Sequence, residues 1–192
     1  MIVTAPLLLD VPEELTTERL FLRPPRPGDG SMVNEAIAES IEELKIWMPW
    51  ARTMPTHEET ETWCRQAHVK FLSREQFPWL CFLKENGKFI GAPGIPRLNW
   101  AVPKFEIGYW VRTSCVGSGY ISEATAKLTE FAFDVLKGRR VEICMDDLNT
   151  KSWRIAERLG FELEGILRNE VRDNAGKLRR TRVYAKVRPD EP

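Results

Sequence analysis

The chain has 192 residues, 43% of them hydrophobic, which favours one domain with a substantial core over two domains. Its 28 basic side chains equal its 28 acidic side chains, so the overall charge gives no reason to expect a nucleic-acid partner. No segment approaches the ~18 uncharged apolar residues of a membrane helix, and residues 1–10 lack the basic start of a signal peptide, so we expect a cytoplasmic protein with no membrane partner.

Local patterns predict strands and helices that alternate along the chain. Asn86-Gly87 between two apolar runs is the strongest hairpin signal. The prolines at 93 and 96 predict that the next strand is bent or lies at an edge. The predicted strands are 19–23, 79–83, 88–90, 91–96, 105–111, 141–145 and 161–166, a final hairpin turns about 173–176, and the predicted helices are 29–44, 56–73, 120–136 and one that begins at Thr150. This order predicts a mixed α/β domain.

Residues 108–124 give the clearest functional signal. A predicted strand runs into a turn that contains Gly117 and Gly119, and this turn opens a helix. Glycines let the backbone approach a phosphate closely, and the first helical turn presents N–H groups without partners at the positive end of the helix dipole. The pattern predicts an anion site. A glycine pair can also be an ordinary turn, and neither the dinucleotide fingerprint nor the P-loop is present.

A second pattern lies at residues 149–161. Asn149 suits the N-cap of a helix, and Gly160 suits its left-handed stop. With the glycine turn, this pattern resembles the GNAT superfamily of N-acetyltransferases, in the branch of the ribosomal-protein alanine acetyltransferases RimJ and RimL. The resemblance covers nearly the whole chain, and its other matching segments are 17–23 with Asp29, 106–110, Ser152, Gly160-Phe161 and Glu164-Gly165.

The resemblance implies an α/β (α+β) fold in a single domain over residues 1–192, with an ordered core over 17–188. A twisted, mixed and mostly antiparallel sheet would be flanked by helices. Its two central strands, those of Tyr109 and Cys144, would splay apart in a V and receive the pantetheine arm of acetyl-CoA. A backbone N–H near Val111 would then stabilise the oxyanion, a contribution of ~3 kcal/mol in comparable sites.

Acetyl-CoA is the co-substrate that the resemblance implies, and no metal is implied. The residues implied in binding it are Trp110, Val111, Arg112, Val116, Gly117, Ser118, Gly119, Tyr120, Asn149 and Ser152. The family commonly has Gln or Arg at the position of Ser114 and a basic residue at that of Ser118. We therefore expect phosphate binding to depend mainly on backbone donors, with help from Arg112 or Lys151.

Three side chains are candidates for proton transfer during direct attack of an amine on the thioester. Ser152 has the family position of the acid that protonates the thiol, whose pKa of ~8.5 makes it a good leaving group, and its alternative role is to cap the helix. Glu106 is the first candidate for the base, the alternative being an exposed strand residue paired with Lys104 or Arg112. Glu170 is the second candidate.

Three tryptophans, Trp47, Trp50 and Trp100, are candidates for the wall of the acceptor pocket, with core packing as the alternative for each. Cys115 lies beside the glycine turn, but both histidines belong to a remote predicted helix, so covalent catalysis is not expected. The four cysteines lie far apart and predict reduced thiols rather than a metal site.

The expected acceptor is a protein N-terminus or a small-molecule amine, and the resemblance leaves a homodimer open. An α-amino group has a pKa of ~7.7 against ~10.4 for lysine, so a weak base suits an N-terminus better. Two other functions remain open. One is a non-catalytic acyl-CoA-binding or sensing protein, favoured by the missing phosphate-side cations. The other is an RNA-associated adaptor that uses the basic final hairpin, for which a solvated face is the simpler account.

Overall fold

The strands of the computed structural model, which describes residues 3–188, form two sheets. In chain order the strands are β1 (Leu15–Thr16), β2 (Leu20–Arg23), β3 (Phe77–Pro78), β4 (Leu80–Leu83), β5 (Phe89–Gly91), β6 (Gly94–Asn99), β7 (Lys104–Gly108), β8 (Arg140–Asp146), β9 (Glu162–Arg172) and β10 (Leu178–Val187). The four-stranded sheet has the order β1-β2-β4-β5, and the six-stranded sheet has the order β3-β6-β7-β8-β10-β9. Among the strands of residues 3–188, only β7 and β8 pair in parallel. The predicted α/β fold with a mixed, mostly antiparallel arrangement is confirmed, with its strands divided between two sheets.

Four helices pack on these sheets within the described residues. They are α1 (Gly30–Trp47), α2 (His57–Leu72), α3 (Tyr120–Asp134) and α4 (Thr150–Arg158). Helix α2 begins with a capping box, in which Thr56 and Glu59 each accept a hydrogen bond from the other's backbone N–H. Helix α3 turns its apolar positions, among them Leu128 and Phe131, into the main core beside Phe105 of β7. None of the helices in 3–188 is both long and apolar enough to cross a membrane.

The two sheets meet where the chain leaves β7. Residues 110–112 turn away from β8 and pair with the end of β5, so that the Arg112 N–H donates to the Ile90 carbonyl at 2.8 Å. Gly91 lies opposite Val111 in this pairing. The φ angle of Gly91 is +156°. A Cβ at position 91 would lie 2.3 Å from the carbonyl oxygen of Trp110, so only glycine fits without moving a strand.

Strands β7 and β8 separate as predicted. Their parallel pairing ends at Glu106 and Glu142. Strand β8 nevertheless continues to Asp146, paired with β10. The chain beyond β7 diverges toward β5, so a V-shaped gap opens between the two strands.

The remaining differences from the sequence prediction have local causes. The strand predicted over 105–111 ends at Gly108 because the chain changes sheets there. Strand β6 is bent, with a register shift between Gly94 and Arg97. The short strands β1 and β3 and the full length of the β9–β10 hairpin were not predicted. The outer limits predicted for the domain, residues 1 and 192, lie outside the described residues.

Candidate active site

The glycine turn presents a run of backbone donors. Gly117 and Gly119 have φ angles of +86° and +78°, which strain any residue with a side chain. The first hydrogen bond of α3 runs from the Glu123 N–H to the Gly119 carbonyl at 3.1 Å. Within the described residues, the N–H groups of 117–122 therefore have no hydrogen-bond acceptor. They lie at the positive end of the α3 dipole, an arrangement that suits a phosphate.

Two arginines that the sequence analysis missed lie beside this turn. Arg19 donates to the carbonyl of Ser118 at 3.1 Å, and its guanidinium lies 4.6 Å from the ring centroid of Tyr120. The guanidinium of Arg158, at the end of α4, lies 3.4 Å from the hydroxyl of Ser122. Both contacts join residues distant in sequence, so no local pattern could reveal them. Two cations from distant parts of the chain therefore lie beside the glycine turn.

Arg112, which was expected to assist phosphate binding, is bound to a carboxylate of α1. Its guanidinium pairs with Glu39 of α1, which also accepts the Ser114 N–H at 2.8 Å. Burial alone would raise the pKa of Glu39, but the hydrogen bonds from Arg112 and Ser114 outweigh it and lower that pKa to about 2. The carboxylate thus fastens the segment before the glycine turn to α1. Lys151 lies exposed at the start of α4.

The backbone of Val111 is open toward the V-shaped gap. Its N–H and carbonyl have no hydrogen-bond partner among residues 3–188, because the Gly91–Val111 bridge leaves both groups facing away from β5. Trp110 and Arg112 differ from it, since their N–H groups donate to carbonyls of 90–92 and their carbonyls also accept hydrogen bonds. Of Trp110, Val111 and Arg112, which were expected to bind acetyl-CoA, only Val111 has an N–H and a carbonyl without partners among residues 3–188.

Ser152 contacts a tyrosine across the mouth of the gap. The hydroxyl of Tyr109 donates to the Ser152 carbonyl at 3.1 Å and lies 3.2 Å from the Ser152 hydroxyl. Burial raises the pKa of Tyr109 to about 12, against the smaller opposing effect of its hydrogen bond to Ser152, so the phenol keeps its proton at neutral pH. The helix cap is made by Asn149, whose side chain accepts the Ser152 N–H at 3.2 Å. The Ser152 hydroxyl is therefore not needed for capping.

Glu106 pairs with a different cation from those expected. Both of its oxygens accept from Arg97, at 2.7 and 2.9 Å, whereas Lys104 pairs with Glu142. Glu106, Glu142 and Cys144 have ligand atoms within 4.8 Å of one another. Burial, with a smaller contribution from the neighbouring carboxylates, raises the pKa of Cys144 to about 12. A protonated thiol and two carboxylates already paired with cations give no support for a metal site.

Glu170 lies on β9 at an irregularity in the β9–β10 pairing. The register shifts between Arg179 and Thr181, and Asn169 beside it has a φ of +55°. Such bulges redirect side chains and are frequent near active sites. Thr181 pairs with Asp146 at the end of β8, so Glu170 lies level with the open end of the gap, whereas Glu106 lies where the gap begins.

Trp47 and Trp50 lie near the open end of the gap. The ring of Trp50 is 6.2 Å from that of Trp110, next to Val111. The ring of Trp47 lies 5.9 Å from the guanidinium of Arg179 on β10. At the tip of the same hairpin, Asn174 donates to the carbonyls of Lys45 and Met48 at 2.6 and 3.2 Å. The hairpin therefore closes against the end of α1 beside the two tryptophans.

Trp100 lies at the opposite end of β7, and its assignment to the acceptor pocket is corrected. It follows β6 and precedes β7, about 17 Å of strand from Tyr109. Its ring packs against Phe105 at 5.2 Å, and its N–H donates to the Arg74 carbonyl at 3.2 Å. Trp100 therefore packs against the core, which was the alternative to a role in the acceptor pocket.

Comparisons with known proteins agree with this geometry. The family model described as "Acetyltransferase (GNAT) domain" matches residues 19–162. YdaF of Bacillus subtilis (strain 168), provisionally named a ribosomal N-acetyltransferase, is 31% identical over 158 residues, 79% of this chain and 82% of that protein.

Two solved structures share the fold. One is RimL, a ribosomal L7/L12 alpha-N-protein acetyltransferase in complex with coenzyme A, at 21% identity and a TM-score of 0.84, with 91% of this chain and 98% of that chain covered. The other is the microcin C7 self-immunity acetyltransferase MccE in complex with acetyl-CoA and AMP, at 22% identity and a TM-score of 0.82, with 89% and 93% covered. The open donors of the glycine turn and of Val111 suit the phosphate and amide groups of coenzyme A. The chain therefore belongs to the GNAT acetyltransferase family and is an acetyl-CoA-dependent N-acetyltransferase.

Proposed function

We propose that this enzyme acetylates the α-amino group of a protein N-terminus or a small primary amine, and that the amine attacks the thioester directly. The observation that carries the proposal is the V-shaped gap, where the free backbone of Val111 adjoins the Ser152–Tyr109 pair. The names of YdaF and RimL, which refer to ribosomal proteins, favour a protein N-terminus. Residues 110–112, which follow β7 of the six-stranded sheet, pair with the end of β5 in the four-stranded sheet. We therefore propose that the chain is one acetyltransferase domain.

The proposed cofactor site has two parts. The N–H groups of 117–122 would hold the pyrophosphate, with Arg19 and Arg158 beside them. The carbonyl of Val111 would accept a hydrogen bond from an amide of the pantetheine arm, and the Val111 N–H would donate to the oxyanion at the gap. When bound, acetyl-CoA supplies an acetyl thioester whose thiol is a good leaving group.

Ser152 is the proposed acid. Its hydroxyl would donate to the leaving sulfur, and the O–H of Tyr109, 3.2 Å away, would then turn from the Ser152 carbonyl and donate to the Ser152 hydroxyl oxygen. The phenol stays protonated because burial raises the pKa of Tyr109 to about 12. The proton that the amine loses replaces the one that the serine donates, so the net transfer is one proton from amine to thiol.

Glu106 and Glu170 are the proposed alternatives for the base. Glu106 is 14% exposed, and its oxygens keep lone pairs beyond those used by Arg97. Glu170 is exposed on the hairpin side of the gap. An α-amine needs little help at neutral pH, because its pKa of ~7.7 leaves a fraction of it neutral. Either carboxylate, acting through a water molecule, would suffice.

Trp47, Trp50 and the hairpin tip would form the acceptor side. The hairpin extends beyond the family match, which ends at residue 162. Its arginines are mostly paired with acids, Arg179 with Asp146 and Arg182 with Asp147, which weakens the case for an RNA-binding face.

An acceptor screen tests the proposal. Peptides with free N-termini, the same peptides with blocked N-termini but a free lysine, polyamines, amino sugars and amino acids would each be mixed with acetyl-CoA, and thiol release would be followed. We expect release with the free N-termini or with one of the small amines, and none with the blocked peptides. Equal rates on free and blocked peptides would move the acceptor to a lysine side chain and refute the proposal.

A further inference from the structure

A carboxylate lies in the turn that is proposed to bind the pyrophosphate. Glu123 belongs to the first turn of α3, and its side chain is only 20% exposed. Burial alone would raise its pKa, but hydrogen bonds from the Thr17 hydroxyl and from Arg19 outweigh it, so the pKa of Glu123 is lowered. A negative charge at this place opposes a diphosphate unless something compensates it.

Arg19 supplies the compensation. Its Nε and a terminal nitrogen both lie 2.7 Å from one oxygen of Glu123, and its backbone N–H donates to the other at 3.0 Å. The guanidinium also covers the ring of Tyr120 at 4.6 Å. Arg19, which lies in the loop between β1 and β2, thus contacts both Glu123 and Tyr120 in the first turn of α3.

The same guanidinium fixes a peptide group within the glycine turn. It donates to the Ser118 carbonyl at 3.1 Å. Because the C=O and the following N–H of a trans peptide point in opposite directions, the Gly119 N–H is directed away from Arg19. A Cβ on Gly117 would meet no atom within 4 Å, so the turn is open on its outer side.

We propose that Arg19 is the positioning residue of the pyrophosphate-binding turn, which it serves by neutralising Glu123 and by holding the Ser118–Gly119 peptide with its N–H toward the ligand. This inference rests on the proposed cofactor site. Its effect is confined to the diphosphate part of the donor, because Arg19 has no contact with the V-shaped gap or with the Ser152–Tyr109 pair.

The other end of α3 offers a matched control. Arg188 pairs with Asp134 at 2.7 Å and lies 5.6 Å from the ring centroid of Phe133. It repeats the chemistry of Arg19, an arginine bound to a carboxylate and an aromatic ring of α3, far from the glycine turn. Any loss common to Arg19→Leu and Arg188→Leu reflects helix stability rather than cofactor binding.

The test compares two acetyl donors, acetyl-CoA and S-acetylpantetheine, which lacks the diphosphate. For Arg19→Leu we expect kcat/KM with acetyl-CoA to fall about tenfold, mainly through KM, and kcat/KM with S-acetylpantetheine to stay unchanged. Arg19→Lys, which keeps the charge but not the planar fork, should recover part of the loss. Arg188→Leu should leave both donors unchanged. An equal loss on both donors for Arg19→Leu would overturn the inference, because a structural defect does not distinguish donors.

A second variant separates neutralisation of Glu123 from direct contact with phosphate. If Arg19 acts on Glu123, the double variant Arg19→Leu with Glu123→Gln regains most of the acetyl-CoA activity. A double variant as weak as Arg19→Leu overturns the neutralising role of Arg19, because removal of the Glu123 charge would then not replace the arginine. Gly119→Val tests the underlying site separately. If that variant binds acetyl-CoA as tightly as the parent, the proposed cofactor site is wrong whatever Arg19 does.

Discussion

Gly91→Ala would place a Cβ 2.3 Å from the Trp110 carbonyl oxygen and 2.9 Å from the Val111 Cα. Since non-bonded carbon atoms prefer about 3.5 Å or more, β5 and the 110–112 segment must move apart by about 1 Å. That movement weakens the three hydrogen bonds beside position 91, which together lose about 2 of the roughly 3 kcal/mol that they contribute, and the φ of +156° adds strain of about 1 to 2 kcal/mol. We expect the free energy of unfolding to fall by about 3 to 4 kcal/mol.

The same movement displaces Val111, so acetyl-CoA affinity should fall as well. Urea denaturation measures the first effect, and calorimetric titration at a temperature where the variant is folded measures the second. Gly87→Ala is the control, because its φ of +70° is also positive but a Cβ there meets no atom within 4 Å, so it should cost about 1 kcal/mol and leave affinity unchanged. If Gly91→Ala behaves like Gly87→Ala in both assays, the junction does not constrain Val111 as argued.

Three further predictions concern single side chains. Ser152→Ala and Tyr109→Phe should each lower kcat more than they weaken acetyl-CoA binding, and normal turnover in Ser152→Ala would remove the serine from the mechanism. Glu106→Gln should lower kcat/KM by about 10² with a defect that shrinks as pH rises toward the pKa of the acceptor, and Glu170→Gln measured beside it decides between the carboxylates; full activity in both would mean that solvent takes the proton. The pKa of Glu39 is lowered from 4.5 to about 2, so the stability it contributes, about 1 to 2 kcal/mol after screening, is present above pH 5 and lost as pH falls toward 2. Glu39→Gln should flatten that part of the pH–stability curve, and an unchanged curve would contradict the assignment.

The sequence could predict the parts of the site that depend on neighbouring residues. Gly117 and Gly119 in a turn before a helix, and Asn149 with Gly160 around α4, are local patterns whose conformations follow from backbone sterics and capping. The hairpin at Asn86-Gly87 is of the same kind. Each was found at the position predicted, because no distant contact is needed to specify it.

Contacts between distant residues could not be predicted from one sequence. Arg19 and Glu123 lie 104 positions apart, and Arg112 and Glu39 lie 73 apart, so nothing local relates them. The pairing of Arg112 with Glu39 could not be foreseen for this reason, and Arg19 was missed. The position of Trp100 could not be predicted for a different reason. An aromatic residue before a strand suits a pocket wall and a core equally well until the direction of the strand is known.

The two halves of the site therefore differ in how they are encoded. The proposed cofactor half uses backbone groups of 110–122, whose positions are set by glycines and by strand pairing. The proposed acceptor half uses side chains from α1 and the β9–β10 hairpin, which are held together by contacts such as those of Asn174 with the end of α1. Substitutions in the hairpin can alter the acceptor side without touching a backbone donor of the glycine turn. In the proposed site, acetyl-CoA binding therefore depends mainly on backbone groups and on Arg19, which holds the glycine turn, whereas the choice of amine depends on side chains of α1 and the hairpin.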